Sequence, residues 1–81
     1  MDNHILITFK NTIEAMKAEE NLKIQAIKVT VIPTPTNIIK SYGVSIKTNK
    51  NELKKIKSLI ENNKINTLGI YEIVNGKFKE I

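Results

Sequence analysis

The chain has 81 residues, 41% hydrophobic and 26% charged, a balance that fits one globular domain and leaves no length for a second. It contains no cysteine and a single histidine, His4, which excludes disulfides, thiolate nucleophiles, persulfides, thiolate metal sites and histidine triads. Its formal charge of +5 rests on thirteen lysines with no arginine, and lysine is a mobile point charge without the bidentate fork that reads guanine or clamps phosphate.

Ile5 to Phe9 is a compact apolar run rich in β-branched and aromatic residues, which predicts a buried strand beginning near His4. Asn11 with Glu14 three residues on has the spacing of a capping box. In the helix it opens, Ala15, Ala18, Leu22 and Ala26 fall on one face, and Lys17, Asn21 and Gln25 lie on the solvated side. Ile27 to Ile32 alternates, with Ile27, Val29 and Val31 on one face, and Pro33-Thr34-Pro35 is expected to stop it because proline cannot donate to a ladder. Gly43 to Lys47 reads as a third strand. Asn49 and Glu52 repeat the capping spacing and open a second helix with Leu53, Ile56, Leu59 and Ile60 inward and Lys54, Lys55, Lys57 and Glu61 outward. Asn62-Asn63 ends it, and Leu68 to Val74 forms the fourth main strand. Asn75-Gly76 is a hairpin signal, so Lys77 to Ile81 is expected to fold back as a short fifth strand, with a frayed tail as the alternative.

This order predicts one α+β domain over residues 1–81. The expected fold is ferredoxin-like βαββαβ, a four-stranded antiparallel sheet with two helices on one face and an optional fifth C-terminal strand. No apolar run approaches the roughly 18 residues that span a bilayer. Met1-Asp2-Asn3-His4 lacks the basic and apolar regions of a signal peptide, so a cytoplasmic location is expected.

The segment from Ile32 to Gly43 holds both prolines of the chain and is longer than a tight hairpin needs. Pro33 and Pro35 stiffen its exit from the strand, Asn37 is placed to cap one helical turn through Lys40, and Gly43 permits close backbone approach or positive φ. Thr34, Thr36 and Ser41 could line a small polar pocket, or could satisfy the loop's own backbone.

The run from Val31 to Ile46 resembles the central motif of a family of small bacterial proteins labelled putative selenium/sulfur carrier-like. That motif runs close to Ile-Pro-Thr-Pro-Arg, several residues, then Ser-Cys-Gly opening a strand. Here Ile32-Pro33-Thr34-Pro35 is followed by Ser41 and Gly43 at matching spacing, and Ala15, Ala18, Glu19 and Gly69-Ile70-Tyr71-Glu72 are also similar. The resemblance implies that Tyr42 stands at the family's cysteine position and Thr36 at its arginine. A sulfur or selenium carrier needs a thiolate, favoured by a neighbouring cation. With both replaced, the resemblance implies the family's fold and origin without its carrier activity.

The expected function is therefore a small cytosolic binding or accessory module, not an enzyme, with no cofactor, metal or membrane partner. Its ligand-binding residues would be Thr34, Pro35, Thr36, Ser41, Tyr42 and Gly43, and its partner an unidentified small ligand or protein. Nucleic acid is disfavoured: Lys40-Ser41-Tyr42-Gly43-Val44 faintly echoes an RNA-recognition strand, yet Val44 and Leu6 stand where stacking rings are wanted. The third reading is a homodimer through the open sheet face, with Leu6 adding to an apolar patch; Lys77 and Lys79 oppose pairing at the edge.

Overall fold

The computed structural model describes residues 3–35, 38 and 43–81. The first apolar run becomes β1 (His4–Thr8), followed by α1 (Thr12–Ile24), β2 (Val29–Pro33), β3 (Val44–Asn49), a 3-10 turn (Lys50–Glu52), α2 (Leu53–Glu61), β4 (Gly69–Val74) and β5 (Lys77–Glu80). The five strands form one antiparallel sheet in the order β2-β3-β1-β4-β5. The sheet thus has one strand more than the four-stranded core expected. Asn75 and Gly76 take positive φ (51° and 76°), the turn chemistry that returns β5 onto β4. The Ile81 N–H donates to the Ile70 carbonyl at 3.0 Å, so the C-terminal end is tied down, not frayed.

β1 is the central strand, and Ile7 lies opposite both Ile46 and Ile70. Side chains alternate along a strand, so Ile5, Ile7, Ile46 and Ile70 share one face. There they form one core with Ala15, Ala18 and Leu22 of α1 and Ile56 of α2. The two alanines bring α1 close to the sheet, while Leu53, Leu59 and Ile60 close the edge of the core. Among the described residues no helix is long and apolar enough to cross a membrane.

Local chemistry revises several boundaries. Asn11 caps α1, its side chain accepting the Glu14 N–H at 2.9 Å, but the Glu14 carboxylate accepts from Asn66 Nδ2 at 3.2 Å, so the box closes across the fold. Asn49 caps the 3-10 turn through the Asn51 N–H, and α2 begins only after that turn. β2 ends within the expected Pro33-Thr34-Pro35 stop, with Pro33 itself as the strand's last residue, paired with Val44. β2 is an edge strand, where a missing N–H breaks no ladder.

Ala26 is not on the helix face. Both helices end in the same motif, a residue of positive φ flanked by two backbone bonds. In α1 these are Ala26 N–H to Lys23 O and Ile27 N–H to Leu22 O, both 2.9 Å; in α2 they are Asn63 N–H to Ile60 O at 3.1 Å and Lys64 N–H to Leu59 O at 2.9 Å. Asparagine tolerates this conformation, whereas alanine at φ 61° is strained by roughly 1–2 kcal/mol. Ala26→Gly relieves that strain but adds freedom to the unfolded chain, for a net gain of about 0.5–1 kcal/mol. In a thermal melt this should appear as a rise of roughly 2–8 °C. A fall would show that residue 26 has no need of the left-handed region.

Candidate functional site

Across the sheet from the core, one end carries a row of hydroxyls. Thr8 on β1 has Ser45 of β3 and Gly69 of β4 as its cross-strand neighbours, one residue beyond the Ile7-Ile46-Ile70 set and so on the opposite face. Thr34, just past β2, extends the row. Its Oγ1 lies 2.6 Å from Ser45 Oγ in a buried hydroxyl pair, and Thr8 Oγ1 donates to the Gly69 carbonyl at 3.2 Å. Thr8, Ser45 and Thr34 are all buried, and buried hydroxyls are tolerated when bonded in this way.

The same row fastens the stem of the proline-containing loop. Thr34 N–H donates to the Gly43 carbonyl at 2.9 Å, continuing the β2-β3 ladder one pair past Pro33 and Val44. Gly43 is favoured by proximity and not by its φ: a Cβ there would sit 3.0 Å from Thr34 Oγ1, close enough that the bonded Thr34 side chain would have to shift. Gly69 is confined similarly, with a built Cβ 3.3 Å from the Tyr71 ring and 3.5 Å from Thr8 Oγ1. Side chain, backbone and missing methyl groups together define where the loop leaves and re-enters the sheet.

Of the expected ligand-binding residues, the structure brings Thr34 and Gly43 together in this stem. The Thr34 hydroxyl is committed to Ser45 instead of facing an open pocket. Pro35 is half-buried, and its carbonyl accepts the Ile38 N–H at 3.0 Å. Thr36, Ser41 and Tyr42, with Asn37, Ile39 and Lys40 of the expected helical turn, lie outside the described residues. Ser45 and Thr8 were not among the expected residues. The signal available for Ser45 was a lone hydroxyl between Val44 and Ile46, on the strand face that also carries Gly43.

The rest of this sheet face differs from the open apolar patch expected. Leu6 is 0% exposed and contributes no accessible surface. Tyr71, Ile73 and Phe78 share its face and are half-buried. Val44, the second stacking position of the RNA reading, points to the helix side and packs against the core. His4 is half-buried, not freely exposed, and its Nδ1 is enclosed without a partner among the described residues. No group of three or more metal-ligating side chains occurs among the described residues.

A family model described as "Putative Se/S carrier protein-like" matches residues 4–72. The match takes in β1 through most of β4 and stops short of the Asn75-Gly76 turn and β5. No curated protein and no solved structure matches the chain.

Proposed function

The chain belongs to the family described as "Putative Se/S carrier protein-like", and from that membership we propose that it is a cytoplasmic binding or accessory module that operates without a carrier thiol. One observation carries the reading: the 81 residues contain no cysteine. A persulfide or selenosulfide needs a thiolate to form on, and neither a hydroxyl nor a phenol replaces it. In this proposal Tyr42 occupies the family's thiol position and Thr36 its arginine position, and the domain is a ferredoxin-like βαββαβ unit with β5 appended. The fixed stem at Thr34, Gly43 and Ser45 supports a loop held for recognition, with Pro35, Thr36, Ser41 and Tyr42 presented to a small ligand or protein.

Two measurements test it. Exposure to a cysteine desulfurase with cysteine as sulfur donor should add no reductant-labile sulfur atom to the protein by mass spectrometry; such an adduct would overturn the thiol-free reading. A thermal-shift screen against anions, thiols, nucleotides and short RNA should then find a binder. Ligand at about 100 times its dissociation constant adds roughly 2.7 kcal/mol, a shift on the order of 10 °C in a domain this size. Tyr42→Ala should remove the shift while leaving the unliganded melt nearly unchanged. A large loss of stability with undiminished binding would instead make Tyr42 a packing residue.

A further inference from the structure

α1 carries apolar side chains on two sides. Ala15, Ala18 and Leu22 face the core, yet Ile13, Met16 and Ile24 remain 64%, 63% and 71% exposed on the outer surface. A single exposed isoleucine needs no explanation, but these three line one stripe of a 13-residue helix, half a turn from its buried stripe. A shallow depression follows part of it, lined by Ile13, Met16, Lys17, Glu19, Glu20 and Lys23.

The stripe has a specific order. Ile13, Lys17, Glu20 and Ile24 are spaced four, three and four apart, which is the d-a-d-a seam of a coiled coil. Two copies of such a seam can meet in parallel or antiparallel. The parallel arrangement sets Lys17 against Lys17 and Glu20 against Glu20. The antiparallel arrangement sets a against d, placing Ile13 opposite Ile24 at each end and Lys17 opposite Glu20 in both central layers. Opposite charges therefore meet only when the helices run in opposite directions. The neighbouring Glu19 and Lys23 are already paired within the helix at 3.3 Å and leave the seam charges to the partner.

We propose that the outer face of α1 is a self-association surface on which a second copy of this chain docks through its own α1, antiparallel about a two-fold axis between residues 18 and 19. The pattern is self-complementary, as an isologous dimer requires. The seam spans about 16 Å from Ile13 to Ile24, so the interface lies at the small end of the range, below roughly 1,200 Å², and the dimer is concentration-dependent. Its surface is separate from the hydroxyl row at Thr8, Ser45 and Thr34, which lies on the sheet face turned away from the helices, and the proposal does not depend on the thiol-free reading.

Sedimentation velocity and light scattering over a concentration series test it. The protein should pass from monomer to dimer by about 1 mM. Lys17→Glu and Glu20→Lys should each weaken the dimer by about tenfold or more, since each creates two like-charge layers, and the double exchange should restore it to within about threefold. Ile13→Gln with Ile24→Gln should abolish association while the monomer's circular dichroism and thermal melt stay unchanged, because both side chains are exposed. A monomer throughout the series overturns the proposal. So does a dimer indifferent to all of these substitutions, which would place self-association on another face.

Discussion

Ile7→Ala should lower the stability of the protein by about 2–5 kcal/mol. Ile7 is fully buried at the middle of the central strand, and its neighbours Ile46 and Ile70 are held by their own strands. Truncation removes three carbons' worth of burial and leaves a void beneath the helices that a close-packed sheet cannot collapse to fill. A domain of this length holds only roughly 4–12 kcal/mol in total, so the single change consumes a large part of it. Urea denaturation gives the comparison: the midpoint should drop sharply with the slope preserved. Ile13→Ala, on the exposed side of α1, should stay within about 0.5 kcal/mol of the parent. Equal costs for the two variants would contradict the burial pattern on which the fold rests.

The second large effect concerns the hydroxyl pair at the loop stem. Ser45→Ala should cost about 1–3 kcal/mol, because it leaves Thr34 Oγ1 buried without its 2.6 Å partner. Thr34→Val should cost a similar amount by stranding Ser45. Removing both hydroxyls strands neither, so the double variant should lie well above the sum of the singles and close to the parent. A thermodynamic cycle on the four proteins measures this coupling. Additive losses would mean that the two hydroxyls act separately. If the thermal-shift screen yields a binder, the same four proteins separate stem from contact: loss of binding in proportion to lost stability assigns Thr34 to the stem.

Much of the architecture was legible because its signals are local and repeated. A compact apolar run located β1, alternation located β2, Asn11 located the start of α1, and Asn75-Gly76 located the hairpin that adds β5; Asn49 instead marked the 3-10 turn that precedes α2. The failures have physical causes. Ala26 continues the spacing of Ala18 and Leu22, and periodicity cannot register that the backbone has already turned left-handed at that residue. Leu6 seemed uncovered because strand alternation assigns a face but not what covers it. No local signal pairs Ser45 with Thr34, since only the β2-β3 register brings Thr34 diagonally onto it from the neighbouring strand. The candidate site was legible as a segment more than as a set of contacts.

α1 has a further consequence, for how the chain reaches its native state. A helix with two apolar stripes can settle on a sheet in two rotations, and the stripe of Ile13, Met16 and Ile24 offers larger side chains than the one that is buried. Apolar area alone would favour the wrong rotation. Ala15 and Ala18 favour the right one by allowing the helix backbone closer to the sheet at β3 and β2, so fit outweighs area. Lys17 and Glu20 then penalise the alternative, because a half-turn would press two charges against an apolar sheet. The two residues that give the outer stripe its direction as a docking seam also act as a lock on the helix's own orientation, narrowing the landscape to one way of seating it.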